Sequence, residues 1–253
     1  MSQTVTAAVL VIGNEILSGR TQDTNVAFLG KSLNDLGIRL MEVRVVADIE
    51  DEIVYAVNAL RVRYDYLFTT GGIGPTHDDI TADSVAAAFD VGIDYHPEVF
   101  ELLKQNFESR GLEANGARMR MARVPDGALL IDNEISLAPG FQIENVFVLA
   151  GVPSIARAMF NGASNRLRRG EVVRSRSIRC HCGEGTIADT LAVVQDAFPV
   201  VDIGSYPWSK DGRYGTSLVL RATDIAMLDS AYDAVFQAAV EAGGDPVEEP
   251  AEA

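Results

Sequence analysis

The chain is poor in basic residues and in long apolar segments. Its 253 residues include 36 Asp and Glu against 21 Lys and Arg, which gives a formal net charge of -15. This average field repels polyanions, so we expect no nucleic acid as a partner. No run of about 18 apolar residues occurs, so neither a transmembrane helix nor a membrane partner is expected. The N-terminus also lacks the pattern of a signal peptide, and we expect a cytoplasmic protein.

Cysteine is equally scarce. The only two, Cys180 and Cys182, flank His181. They alternate along one predicted strand, so a disulfide between them would be strained. A metal site needs more ligands than this cluster offers. We therefore expect two reduced thiols.

The first 170 residues alternate short apolar strands with amphipathic helices. Strands are predicted at 7–12, 38–46 and 66–69, and helical periodicity separates them. Strand, helix, strand, helix, strand predicts right-handed crossovers. We therefore expect a three-layer α/β/α domain with a mostly parallel sheet over residues 1–170.

The pattern changes near Gly170. Strand, helix, strand, strand and helix follow, which predicts a small α+β domain over residues 171–242. Residues 243–253 are rich in Gly, Pro and Glu, and we expect them to form a disordered acidic tail.

A glycine-rich loop follows the third predicted strand and is the strongest functional signal. Glycine leaves room for a ligand to approach the backbone. The loop lies at the carboxyl end of a parallel strand, where open α/β sheets bind ligands. Its carboxylates can hold a hard cation such as Mg²⁺, or act as a base toward water. The predicted site residues in this loop are Thr70, Gly71, Gly72, Gly74, Thr76, Asp78 and Asp79.

A plain turn explains the same loop pattern without a ligand. Asp near a helix N-terminus is favourable on dipole grounds alone, and Thr81 is a plausible helix N-cap. The loop also lacks the spacing of a P-loop or of a dinucleotide fingerprint. Binding at this loop therefore competes with a purely structural interpretation.

Other strand ends supply further candidates, which together predict a pocket at one sheet edge. Asp48, after the second strand, is a candidate partner of the glycine loop, or only a helix cap. Glu15 is a possible metal or hydroxyl ligand, or a solvated carboxylate. The remaining predicted ligand-binding residues are Gly13, Asn14, Pro139, Gly140, Gly151, Pro153 and Ser154.

These motifs resemble the molybdopterin-binding (MoaB/Mog) domain family, and within it the amino-terminal domain of CinA. The segment 69–81 matches the central motif of the family almost throughout, and 13–19 is similar to the CinA-type opening. Asn25 fits the family's Asn-Thr-Asn region, while 138–140 and 151–153 match later loops. The resemblance covers about residues 5–240.

The resemblance implies a domain that binds molybdopterin or a nucleotide. In the CinA branch it implies hydrolysis of nucleotide diphosphates such as ADP-ribose with a divalent metal, Mg²⁺ or another, and possibly K⁺. In the Mog branch it implies adenylyl transfer to molybdopterin, with Asp48 and Asp79 as the catalytic and metal-binding pair. A module that binds without turnover is the third alternative. Homo-oligomers, dimers or trimers, are expected.

The sequence departs from the family pattern at three loop positions. Ala150 and Ile155 replace a Pro and a Glu, and Ser136 stands where a Gly is usual. These positions are expected to line the pocket, so they bear on substrate choice and on activity.

Overall fold

The computed structural model describes residues 4–249, which divide after Gly170 into two compact units. The sequence predicts a domain boundary at the same residue. Each unit has its own apolar core. No helix within the described residues is long and apolar enough to cross a membrane.

The first unit follows the predicted alternation through its first three strands. Its elements are β1 (Val5–Ile12), α1 (Asn14–Leu17), α2 (Asn25–Asp35), β2 (Ile38–Val46), α3 (Glu50–Arg63), β3 (Tyr66–Thr70), α4 (Thr81–Phe89), β4 (Ile93–Tyr95), α5 (Pro97–Ser109), α6 (Gly116–Met119), β5 (Arg123–Pro125), β6 (Leu129–Ile131), β7 (Gly140–Ile143), β8 (Val146–Leu149) and α7 (Pro153–Ala163).

Its main sheet has six strands in the order β2-β1-β3-β8-β7-β6. The first four are mutually parallel, β7 is antiparallel to β8, and β6 is antiparallel to β7. Strands β4 and β5 form a separate antiparallel pair. Strands β2 and β3 lie on opposite sides of β1, so the strand order switches between β1 and β3. Such a switch opens a crevice at the carboxyl ends of the strands.

Helices cover both faces of this sheet, which confirms the three-layer expectation. On one face, Ile53, Val57 and Leu60 of α3 pack with Leu10 of β1. On the other, α2 and α7 pack against the alternate residues of β1, around the stacked rings of Phe68 and Phe147. The central strands are buried on both faces, which explains why β1 and β8 are almost wholly apolar.

The second unit is a four-stranded antiparallel sheet with two helices. Its elements are β9 (Arg174–Cys180), α8 (Glu184–Ala197), β10 (Asp202–Lys210), β11 (Arg213–Ala222), α9 (Ile225–Glu241) and β12 (Val247–Glu249). The strand order is β10-β11-β9-β12. Asp211 and Gly212, between β10 and β11, both have positive φ, 52° and 74°, as a two-residue hairpin turn requires.

The expected disordered tail differs from the structure where it is described. Residues 247–249 form β12, which pairs antiparallel with β9 through Val247 and Arg179. The composition of this segment favours disorder, but backbone hydrogen bonds to the open edge of the sheet order it. Residues 250–253 of that expectation lie outside the described residues.

The two cysteines are free and buried beneath this sheet. Their sulfur atoms are 3.4 Å apart, and the Cys180 sulfur also contacts the Thr216 carbonyl oxygen at 3.2 Å. Burial, together with the adjacent Cys180 thiol, raises the pKa of Cys182 to about 11. Its thiolate is therefore scarce at neutral pH.

This raised pKa predicts slow alkylation of Cys182. At pH 8 the native protein should react with iodoacetamide about 100-fold more slowly at Cys182 than at an ordinary cysteine with a pKa of about 8.5. Peptide mass spectrometry measures the rate at each cysteine separately. Labelling in urea is the control, since it should proceed at the ordinary rate, and equal native and urea rates would contradict the burial.

The same shift predicts loss of stability in alkali. The folded state favours the neutral thiol, so its contribution is complete below a pH of about 8.5 and falls as the pH rises toward about 11. Denaturant midpoints between pH 7 and 11 measure this fall. Cys182→Ala should reduce the slope relative to the wild type, and an unchanged slope would contradict the assignment.

Candidate functional site

A cleft of about 530 Å³ lies at the carboxyl ends of β1, β3 and β8. It is formed by the turn after β1, the glycine loop after β3, the 150–153 loop after β8 and the segment around Ser136. Seven of the residues predicted to form a site line it: Glu15, Gly71, Gly72, Gly74, Asp79, Gly151 and Pro153.

Glycine is required at the start of the loop. Gly71 has a φ of 103°, and a Cβ there would overlap the Ile12 carbonyl oxygen of β1. The Gly71 N–H donates to the Leu149 carbonyl of β8 at 3.2 Å. The three strand ends therefore meet at this residue, more closely than any side chain allows.

Thr81 closes the loop from its far side. Its N–H donates to the Gly72 carbonyl at 3.0 Å and its hydroxyl to the Gly71 carbonyl at 2.9 Å. The predicted role as an N-cap acceptor is therefore wrong, because Thr81 is the first residue of α4 and its hydroxyl acts as a donor toward the loop. The consequence is a loop held at both ends.

Asp79 is fastened inside the loop and also faces the cleft. Its Oδ2 accepts from the backbone N–H of Thr76 at 2.7 Å and from the Thr76 hydroxyl at 2.5 Å. The Asp79 Oδ1 accepts neither of these hydrogen bonds. Asp78 is exposed, 3.9 Å from the His77 ring, and does not line the cleft. The Thr76 side chain also lowers the pKa of the Asp78 carboxyl, so the two adjacent aspartates share this neighbour and differ in that only Asp79 lines the cleft.

Asp48 has a different role from Asp79. Its Oδ2 accepts from the backbone N–H of Asn14 at 2.8 Å, so it fastens the short helix α1 rather than capping α3, whose N-cap residue is Ile49. Asp48 does not line the cleft. Gly13 precedes α1 and donates to the Val46 carbonyl of β2, so both residues shape the turn that carries Glu15.

Asn25 and Thr70 contribute buried polar atoms beside the cleft. Asn25, at the start of α2, donates from Nδ2 to the Gly151 carbonyl at 2.8 Å. Within residues 4–249, the Asn25 Oδ1 and the Thr70 hydroxyl are buried without a hydrogen-bond partner. Such atoms are rare in proteins, since burial without a partner costs about 1–3 kcal/mol, and they call for a ligand or water.

Three other predicted residues have different positions. Gly140 lies in β7, where a Cβ would overlap the Val148 carbonyl oxygen, so its glycine serves the sheet. Pro139 borders a neighbouring small cavity. Ser154 is exposed in the first turn of α7 and makes no cap hydrogen bond.

Sequence reasoning missed two arginines. Arg120 donates to the Asp79 carbonyl at 3.3 Å, and Arg123 forms two bonds to Asp83 at 2.7 and 2.9 Å. Both border a cavity of about 20 Å³ together with Gly72, Gly74 and Asp79. The available signal was three arginines in six residues, 118–123, within a strongly acidic chain.

The described residues contain no ready-made metal cage. Across residues 4–249, no group of three or more His, Cys, Asp or Glu is arranged to hold an ion. The cleft instead offers two carboxylates, Glu15 and Asp79. This donor set suits Mg²⁺ bound jointly with a phosphate, because Mg²⁺ commonly takes one or two carboxylates and completes its shell with phosphate oxygens and water.

Residues 8–169 match the family described as a probable molybdopterin binding domain. The chain belongs to this family. The match covers every loop of the cleft and all six strands of the main sheet except the first three residues of β1. Residues 172–243 match a second model, the middle domain of FAD synthase, which corresponds to the second unit.

Relatives of this molybdopterin-binding-type chain include archaeal proteins of similar length. A protein of Aeropyrum pernix is 35% identical over 212 residues, covering 79% of this chain and 78% of the relative. One of Archaeoglobus fulgidus is 34% identical over 200 residues, covering 79% and 84%. The crystal structure of CinA from Thermoplasma acidophilum, of unknown function, superposes with a TM-score of 0.60 at 30% identity, covering 65% of this chain and 99% of that one.

The geometry at Gly71 predicts that alanine is not tolerated there. Gly71→Ala should lower the free energy of unfolding by at least about 2 kcal/mol, because a positive φ and an overlap with Ile12 add. Urea unfolding measures this change.

Gly19→Ala is the matched control. Gly19 also has a positive φ, 71°, but a Cβ there would meet no atom within 4 Å. Its cost should be about 1 kcal/mol. Equal costs at the two positions would show that the close approach at Gly71 is not a constraint.

Proposed function

We propose that the molybdopterin-binding-type domain binds a nucleotide diphosphate in this cleft and hydrolyses its pyrophosphate bond. The observation that carries the proposal is the meeting of the glycine loop, Asp79, Glu15 and the 150–153 loop around one cavity. Backbone approach, carboxylates and a neighbouring arginine together are the groups that phosphoryl chemistry uses.

The apolar part of the cleft supports a ligand with a flat ring. Its walls include Met121, Val152, Ile155 and Met159, and Ala150 and Ser136 also border it. Apolar walls with a few fixed polar groups are typical of small-molecule sites. The three residues that depart from the family pattern, Ala150, Ile155 and Ser136, therefore border the proposed ligand. There they would select its ring rather than its phosphates.

The polar part of the cleft supports a bound phosphate. Arg120 lies beside the glycine loop and provides a positive charge in a chain of net charge -15. The unpartnered Thr70 hydroxyl lies at the end of β3, and the unpartnered Oδ1 of Asn25, whose amide nitrogen is bonded to Gly151, lies at the start of α2. A phosphate oxygen could accept from the Thr70 hydroxyl, whereas the Asn25 Oδ1 needs a donor, such as a ligand hydroxyl or a bridging water.

In the proposed reaction, water attacks one phosphorus and the bridging P–O bond breaks, so that ADP-ribose and water give AMP and ribose 5-phosphate. Asp79 and Glu15 would hold a divalent cation, whose charge offsets that developing on the phosphate oxygens. The Thr76 bonds fix the Asp79 carboxylate, and the loop backbone and Arg120 orient the phosphates. Asp48 supports the Glu15 turn from outside the cleft.

The substrate class is best tested broadly. ADP-ribose, NAD and FAD share an adenosine diphosphate group. FAD is included among the substrates to be tested because residues 172–243 match the middle domain of FAD synthase. We place the activity in the cytoplasm, which two free thiols support.

The first test is the release of AMP. Each substrate is incubated with Mg²⁺ or Co²⁺, with and without K⁺, and AMP is measured by chromatography. Asp79→Asn should reduce kcat at least about 100-fold with little change in fold, since it removes a charge that faces the reacting phosphates.

Asp78→Asn provides the comparison. It removes the same charge from the adjacent residue, which does not line the cleft, and should reduce kcat less than about threefold. Absence of AMP release with every substrate and metal would refute the hydrolase. Equal losses in both variants would refute the assignment of Asp79.

A second candidate is binding without turnover, which the apolar Ala150 and Ile155 favour. Calorimetric binding of molybdopterin or ADP-ribose without product formation would support it. Adenylyl transfer to molybdopterin gives a different product, since ATP would release pyrophosphate rather than AMP. The same chromatographic assay with ATP and molybdopterin distinguishes these outcomes.

A further inference from the structure

Strand β2 is an unusually open edge of the main sheet. It is nine residues long and pairs with β1 on one side, while no described strand pairs with its other side. Long exposed edge strands present a row of free N–H and C=O groups to another chain.

The free groups belong to Val43 and Val45. The Val46 carbonyl accepts from Gly13, next to its register partner Ile12, so the backbone of Val46 points toward β1. Backbone directions alternate along a strand, so the N–H and C=O of Val43 and Val45 point away from β1. A register shift between Ala7 and Ala8 places a bulge at Met41, which limits the regular edge to the segment after it.

The side chains on this edge form an exposed apolar row. Met41, Val43 and Val45 are 58%, 41% and 40% exposed. Val43 and Val45 pair in register with Val9 and Val11 of β1, so they share the sheet face covered by α2. The row thus extends the core of that face beyond the edge of the sheet.

The charges on the edge are self-complementary. An antiparallel pairing centred on Val43 sets Glu42 of one copy opposite Arg44 of the other, twice, by symmetry. Glu42 is kept charged, because the Tyr64 hydroxyl, and next Arg44, lower the pKa of its carboxyl.

The alternation of hydrogen-bonded and non-hydrogen-bonded pairs in an antiparallel ladder also favours the register centred on Val43. Val43 faces its own copy as a hydrogen-bonded pair, since its backbone points outward. Glu42 and Arg44 then form non-hydrogen-bonded pairs, in which side chains are closest, with Cα atoms about 4.5 Å apart. Opposite charges in directly facing positions stabilise a strand pair, and like charges destabilise it.

We propose that β2 pairs antiparallel with β2 of a second copy of this chain, centred on Val43, so that the two six-stranded sheets join into one. The closed two-fold pairing uses the same surface on both copies and covers the regular edge of β2 around Val43. The carboxyl-end cleft is built from other strands, so the proposal stands apart from the hydrolase.

The test uses two opposite charge changes. Glu42→Arg and Arg44→Glu each place like charges opposite one another twice in the pair. Each variant alone should self-associate at least about tenfold more weakly than the wild type in analytical ultracentrifugation.

The mixture of the two variants is the decisive sample. In a mixed pair, the arginine introduced at position 42 faces the glutamate introduced at position 44, and the native Arg44 faces the native Glu42. Association should become at least about tenfold stronger than that of either variant alone, as a mixed dimer identified by mass, even though the ion pair between Arg44 and Glu42 within each chain, 2.6 Å long, is lost in both variants. Changes within one chain cannot produce this recovery.

A cross-link tests the register without altering charge. Val43→Cys should form an intermolecular disulfide on mild oxidation, since facing Cα atoms about 5.5 Å apart are within disulfide range. Val62→Cys, at a position 83% exposed on α3, should not. A monomeric wild type at about 100 µM, a mixture that stays monomeric, or equal cross-linking at both positions would each overturn the proposal.

Discussion

The close approach of three strand ends at Gly71 is the constraint on which the first unit depends. The residue has a φ of 103°, lies against the Ile12 carbonyl of β1 and donates to Leu149 of β8. These contacts bring the turn after β1, the glycine loop and the 150–153 loop to one edge. A larger residue at position 71 would push the strand ends apart and disrupt the base of the cleft.

The carboxylates near this edge have different physical roles. Asp48 accepts from Asn14 and Asp79 from Thr76, so each first stabilises a turn. Asp79 alone of this pair also lines the cleft, together with Glu15. This arrangement favours a cation shared with a phosphate over a permanent metal site, because two carboxylates leave most coordination positions open. Such a site is suited both to hydrolysis and to binding without turnover.

Much of the fold was predictable because the signals were local. The strand predicted at residues 38–46 has those limits in the structure, as β2. Four short strands, β4, β5, β7 and β12, were not predicted. β7 begins with a glycine and is ordered by its antiparallel neighbours β6 and β8, the latter across a short hairpin. β12 follows a Gly- and Pro-containing segment and is ordered by pairing with β9, which is distant in sequence.

The sequence by itself determined the alternating architecture, the boundary near Gly170 and the importance of the loop from Thr70 to Asp79. Periodicity, glycine and proline carry that information within a few residues. Only the tertiary structure separated Asp79 from Asp78 and Asp48, and only it placed Arg120 beside the glycine loop. The physical reason is that side-chain direction and hydrogen-bond partners are set by contacts across the sheet edge, which no local pattern encodes.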